Sequence, residues 1–212
     1  MPTMDALSIT ISCLIGYLMG TIQPAYFLGK LKGIDIREHG SKNAGAANIT
    51  MNFGWAVGIF TGILDMLKAA VAVHLVKYFI TLEPFNLLAA DSFNALPFLA
   101  GAFAVIGHNY PFYMNFKGGK GTASAIGLMI GFDPLWGVIL IGVIISSTII
   151  TNYLVSGTVS IYLVMISLAV FKYAQTEIII MSILLGALGI YKHRMNFKRV
   201  LDGSEPTFRG TL

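Results

Sequence analysis

The stretch Phe116-Lys-Gly-Gly-Lys-Gly-Thr-Ala-Ser124 carries the residue types best suited to chemistry. Gly118, Gly119 and Gly121 let the backbone turn tightly and approach a ligand, and Lys117 and Lys120 bring full positive charge. From Thr122 onward the sequence TASAIGLMIG reads as a helix start, whose first-turn N–H groups add to the same field. Loop amides, a helix N-terminus and two lysines suit an anion, a phosphate group above all. A basic turn between two membrane helices has the same composition, so both readings stand on this stretch alone. A Walker A loop is excluded, because Gly121 follows Lys120 where Ser or Thr is required.

Two other stretches share this character. Gly29–Asn48 is a long loop in which Ser41, Asn43 and Asn48 offer hydrogen bonds and Gly40 and Gly45 keep the backbone accessible. Loops of that length and polarity carry function more often than simple connections do. The other reading is a solvated linker. In Lys192-His-Arg-Met-Asn-Phe-Lys-Arg199, His193 and Asn196 stand three apart and share a face if the last helix continues. His193 suits a general base or an orienting donor. A basic helix that binds anionic lipid heads looks the same.

Asp65 and Lys68 also stand three apart, inside an apolar run. An ionisable pair there is either a functional site or a mutually neutralising structural pair. His108, in Gly107-His-Asn-Tyr-Pro111, reads as a helix end stopped by Pro111, with a ligand or proton-carrier role as the second reading. The four histidines and the lone Cys13 do not group at zinc spacing, so no metal is expected, and no G-x-S-x-G elbow is present.

The elements that must position these residues are membrane helices. Of the 212 residues 56% are hydrophobic and 11% charged, with mean hydropathy +0.75. Soluble domains carry about 25% charged residues, so the chain is expected to be an integral membrane protein. One cysteine allows no intrachain disulfide. The first apolar segment has no basic n-region or small-residue cleavage site and is read as a retained helix.

Apolar runs fall at Ala6–Leu28, Phe53–Ile80, Phe93–Phe112, Thr122–Phe132, Pro134–Ile150, Tyr153–Phe171 and Ile178–Tyr191. The expectation is an all-α fold of about seven transmembrane helices, some short, in a single domain over residues 1–212. Thr122–Phe132 is either a re-entrant half-helix or the start of a longer one. Leu82–Asp91 reads as an outer loop. With the N-terminus outside, eleven of the fourteen Lys and Arg fall on the cytoplasmic face, which sets the expected orientation, C-terminus inside. Gly54, Gly58 and Gly62 form a small-residue stripe suited to close helix packing. All three polar stretches then meet one membrane face, which suits an amphiphilic substrate with its chain in lipid and its charged head at the loops.

These residues resemble the bacterial membrane glycerol-3-phosphate acyltransferases of the PlsY type, which use acyl phosphate as donor. Gly29–Thr50 is similar to the family's first motif, Phe116–Ser124 to its second and Lys192–Phe208 to its third. His108 with Pro111, and Asp65 with Lys68, match smaller elements. The resemblance implies a multi-pass cell-membrane enzyme with its active site on the cytoplasmic face. It implies transfer of an acyl group to the 1-hydroxyl of glycerol-3-phosphate, releasing orthophosphate. Its partners would be those two substrates and membrane lipid, with no cofactor and no nucleic acid. Ser41, Lys120, His193 and Asn196 would be catalytic. Asn43, Gly45, Asn48, Lys117, Gly118, Gly119 and Gly121 would hold phosphate-bearing substrate.

Several positions depart from the family pattern. Met51 stands where Arg is usual, Asn152 and Val155 where Arg and Ser are usual, and Met195 where an acidic residue is usual. Ala47 replaces Thr and Lys42 replaces Gly, while Ser156 lies one residue beyond the expected serine. A second reading is therefore a non-catalytic or altered-acceptor paralogue that binds phosphate or phospholipid at the inner membrane face. An anion transporter ranks last, since such sites lie near the midplane.

Overall fold

The first apolar run is two helices, α1 (Ala6–Thr21) and α2 (Pro24–Leu31). Pro24 explains the break: it has no N–H for the preceding turn and pushes Gln23 to φ −114°, ψ 87°. The computed structural model describes residues 6–80 and 95–211, which are helical or irregular with no strand among them. The loop expected at Leu82–Asp91 lies outside the described residues.

The second run is also divided, into α3 (Ala46–Phe53) and α4 (Trp55–Phe79). Gly54, at φ +87°, turns the corner in a conformation that glycine adopts without Cβ strain. This corrects the small-residue stripe. Gly54 is not in a helix, and Gly58 and Gly62 of α4 lie against Thr50 and Ala46 of α3, so the close packing is a hairpin within the chain.

Next come α5 (Ala95–Asn109) and α6 (Thr122–Phe132), the latter with the bounds expected from sequence. Backbone-to-backbone packing holds these helices. Methyls added at Gly16 and Gly20 of α1 would strike the Ala100 and Ala104 carbonyls of α5, and at Gly127 of α6 the Met66 carbonyl of α4. Small residues let helices approach closely where lipid offers no hydrophobic drive.

The remaining helices are α7 (Pro134–Thr151), α8 (Leu154–Leu168), which ends in a π-turn over Ala169–Tyr173, and α9 (Thr176–Leu201). Helix α9 runs ten residues past the apolar run that ends at Tyr191, because nothing in Lys192–Leu201 breaks a helix. Asn152 turns the chain between α7 and α8 at φ +66°. Ser147 and Ser160 hydrogen-bond across these two helices at 3.0 Å, and Gly189 of α9 lies against the Tyr162 ring of α8.

The chain divides into two compact units, Met1–Pro134 and Leu135–Leu212. Among the described residues five helical segments are long and apolar enough to cross a membrane: Ala6–Leu31, Trp55–Phe79, Pro134–Thr151, Leu154–Tyr173 and Thr176–Leu201. The fold is thus all-helical with several membrane spans; α5 and α6, at 15 and 11 residues, are shorter.

Candidate active site

In the first unit the Ser/Asn loop and the Gly–Lys loop share a floor. Ala25 of α2, Ile36 and Ala44 of the loop, Ile49 of α3 and Met114 form one buried apolar cluster. Burial of these side chains draws two segments some seventy residues apart in sequence into one place. A polar clamp lies beside it. Arg37 grips the Asp35 carboxylate, with Nη2 to Oδ2 at 2.7 Å, and sends Nη1 to the Met114 carbonyl at 3.0 Å. The Arg37 guanidinium holds the Asp35 carboxyl well down, at about 2.

Asn48, expected among the phosphate ligands, is turned inward and has no exposed surface. Its Nδ2 donates to the carbonyls of Ile36 and His39 at 2.8 and 3.0 Å. Its Oδ1 accepts from the Ser41 amide at 2.8 Å and from Asn52 Nδ2 at 3.2 Å. These bonds use the side chain's capacity, so Asn48 folds the loop and presents Ser41, which is exposed. Asn43 is half-buried beside Gly45, the N-cap of α3.

The Gly–Lys loop differs from expectation in one respect. Its first two glycine amides face the protein: Gly118 donates to the Asn109 carbonyl at 3.2 Å and Gly119 to His108 at 3.0 Å. They satisfy carbonyls that the end of α5 leaves without helical partners. Gly121, at φ +85°, then caps α6. A methyl on Gly119 would strike the His108 ring and would come within 2.9 Å of the Ala44 carbonyl. Gly119 is therefore where the two loops meet. Neither α3 nor α6 has a side-chain cap at its glycine N-cap. Lys120 is half-buried and Lys117 exposed.

Beneath the loop lies a buried set of three ionisable side chains. Lys68 Nζ of α4 sits 2.8 Å from Asp65 Oδ1, 2.8 Å from His108 Nδ1 and 2.5 Å from the Ile22 carbonyl. An ammonium has three donors; the carboxylate and the carbonyl only accept, while Nδ1 accepts in the tautomer that carries its proton on Nε2. His108 Nδ1 also lies 3.1 Å from Asp65 Oδ1. The His108 carbonyl accepts from Gln23 Nε2 at 2.7 Å as well as from Gly119. The reading of Asp65 and Lys68 as a self-contained pair is thus widened: His108 is the third member, and both breaks at Pro24 and Pro111 are tied to it.

In the second unit His193 and Asn196 do lie on one continuous helix, α9. His193 is buried, with Nδ1 2.9 Å from the Gly189 carbonyl. A carbonyl only accepts, so Nδ1 carries the proton and Nε2 keeps the lone pair in the neutral ring. Asn196 donates to Glu205 Oε1 at 2.6 Å, and Arg199 Nε donates to Glu205 Oε2 at 2.6 Å. Glu205 was not singled out from the sequence; an acid just past a basic helix end was the available signal. Gln23 was likewise missed, although a glutamine next to proline inside an apolar run is the kind of buried polar group that must find a partner. Among the described residues no three His, Cys, Asp or Glu side chains are grouped to hold a metal ion.

Asn152, Val155 and Ser156 have structural roles. Asn152 accepts the Phe208 amide at its carbonyl, 2.8 Å, and the Arg209 amide at Oδ1, 2.9 Å, so it fastens the C-terminal segment. Its left-handed φ favours Asn over Arg. Val155 is buried, and the Ser156 hydroxyl is engaged with the Tyr153 carbonyl at 2.6 Å and with the Thr151 hydroxyl, so Ser156 serves its own turn. Met51 is exposed on α3, and Met195 on α9.

The sequence pattern of the family described as glycerol-3-phosphate acyltransferase matches residues 10–203. A curated relative from Oceanobacillus iheyensis, glycerol-3-phosphate acyltransferase 1, is 40% identical over 195 residues, 92% of each chain. The glycerol-3-phosphate acyltransferase of Thermoanaerobacter pseudethanolicus is 34% identical over 92% of this chain and 93% of that one. Crystal structures of PlsY, an integral membrane glycerol 3-phosphate acyltransferase, share the fold. Its glycerol 3-phosphate form aligns with TM-score 0.81 at 29% identity, covering 95% of this chain and 96% of that one. Its lysophosphatidic acid form aligns with TM-score 0.79 at 28% identity, covering 96% of each. The chain belongs to the glycerol-3-phosphate acyltransferase family.

Proposed function

We propose that this enzyme transfers an acyl group from acyl phosphate to the 1-hydroxyl of glycerol-3-phosphate, giving 1-acyl-glycerol-3-phosphate and orthophosphate for phospholipid synthesis. The observation that carries the reading is the meeting of the Ser/Asn loop and the Gly–Lys loop at Gly119, where α3 and α6 begin on glycine caps. Two helix starts and Lys117 and Lys120 favour phosphate there. The amide contribution comes from the first turn of α6 instead of from Gly118 and Gly119, whose N–H groups are used. Those two glycines and Gly121 act by shape, allowing the close approach.

Acyl phosphate is already activated, so no covalent enzyme intermediate and no cofactor is needed. The chain's task is to align the hydroxyl with the carbonyl and to stabilise charge on the oxyanion and the leaving phosphate. Lys120 and Ser41 are assigned to the phosphates, with Asn43 and Gly45 beside Ser41 and Asn48 holding that loop in shape. His193, with its lone pair on Nε2, is assigned to the hydroxyl proton, and Asn196 acts in the same reaction. The family match from residue 10 to 203 crosses both compact units, which supports treating the chain as one acyltransferase domain.

The proposed topology is seven spans, the five long segments with α5 and α6, N-terminus outside. It rests on the eleven cationic residues that this arrangement gathers on the cytoplasmic face with the loops. Purified protein in detergent, given palmitoyl phosphate and glycerol-3-phosphate, should release orthophosphate and form lysophosphatidate. Lys120→Ala and Ser41→Ala should both slow that turnover steeply. Folded protein with no turnover would overturn the reading.

A further inference from the structure

We infer that Asp65, Lys68 and His108 are positioning residues for the Gly–Lys loop, setting the glycerol-3-phosphate site without touching substrate. The inference rests on the loop being that site. The Asp65 and Lys68 side chains are 2% and 4% exposed, beyond the reach of a substrate at the loops. An ion pair so buried stabilises little beyond what apolar residues of equal volume would, so its presence calls for a task other than stability.

The geometry supplies the task. Lys68 draws three elements onto one ammonium: α4 through Asp65, the broken turn between α1 and α2 through the Ile22 carbonyl, and the end of α5 through His108 Nδ1. With Nδ1 between the Lys68 ammonium and the Asp65 carboxylate, the ring is fixed in rotation in either tautomer, with Nε2 at the opposite edge. That edge of the ring is the surface on which Gly119 rests. The His108 carbonyl meanwhile receives both the Gly119 amide and Gln23 Nε2. Gly119 is thus held by ring and carbonyl of one histidine, and the histidine by the buried pair. A shift of the ring moves Gly119, and with it the adjoining Lys120 and the start of α6.

The test separates positioning from folding. The double variant Asp65→Leu/Lys68→Met replaces the pair by apolar volume and leaves no buried charge unpaired. KM for each substrate is measured with the other saturating, in purified protein. KM does not depend on the amount of active enzyme, so partial misfolding leaves it unmoved. In the double variant KM for glycerol-3-phosphate should rise about tenfold or more, with KM for palmitoyl phosphate within about twofold of wild type. His108→Asn keeps an acceptor near the Nδ1 position but withdraws the ring from Gly119, and should show the same split. Lys120→Ala, run alongside, tests the loop itself. A rise in KM for glycerol-3-phosphate in Lys120→Ala but in neither of the other variants overturns the inference and leaves the site in place. No rise in any of the three overturns both. Equal rises in both KM values in the double variant also overturn it.

Discussion

The two units hold their candidate site residues by opposite means. In the first, irregular loops are fixed from beneath by buried charge, a buried amide and an apolar floor. In the second, His193 and Asn196 ride on a helix whose period alone sets their spacing, and the chain after it is hooked on by Glu205 and Asn152. The loop half therefore depends on groups that cannot be lost singly without leaving a partner stranded in an apolar place. The helical half depends on half-exposed bonds that water replaces at small cost. Damage of one kind should spread, and damage of the other should stay local.

The largest effect should come from breaking the buried set on one side only. Lys68→Met strands the Asp65 carboxylate among apolar helices and should cost about 3–5 kcal/mol of stability, read as earlier thermal unfolding in detergent. A variant as stable as wild type would show that the first unit tolerates the loss as easily as the second. Next is Gly119→Ala, which drives a methyl into the His108 ring and towards the Ala44 carbonyl. Overpacking of about 1–3 kcal/mol should lower kcat/KM roughly 10- to 100-fold if it is taken up by displacing the loop.

A smaller change is expected on the other side of the comparison. Glu205→Ala removes the acceptor of Asn196 and Arg199, and about 1 kcal/mol should be lost. Limited proteolysis should then cut the segment after Leu201 sooner, with α9 itself intact. Loss of the whole second unit would contradict a local hook.

The smallest effect is confined to acid. Asp35 has its carboxyl lowered from the ordinary 3.8 to about 2 by the Arg37 bond, so the clamp's contribution is fully present above the ordinary value. It fades as pH falls from 3.8 towards about 2, when protonation frees Arg37. Pepsin cleavage within residues 29–48 should rise over that window, and Asp35→Asn should bring the same cleavage on from its upper end.

Much of this was legible in the residues themselves. The helical class, the ends of α6 and the stop at Pro111 follow from apolar length, glycine and proline, which act within a few residues of where they stand. His193 and Asn196 were also legible, since helical period is a local property. The Gly–Lys loop was recognisable as a phosphate-type stretch, but its orientation was not. Whether Gly118 and Gly119 turn their amides to a ligand or to α5 depends on carbonyls of His108 and Asn109, which belong to another element. Asn48 shows the same limit: its composition suits a ligand, and its burial makes it a fastener.

The sequence by itself therefore determined the class of protein, the family and the three polar stretches. Each of these depends on residue type and on spacing along the chain. Only the tertiary structure decided that Asp65 and Lys68 have His108 as a third member and that Gly119 joins both loops. It also decided that Asn152 holds the C-terminal segment. These are contacts between residues roughly 40 to 75 positions apart, set by which helices pack together, and no local propensity encodes them.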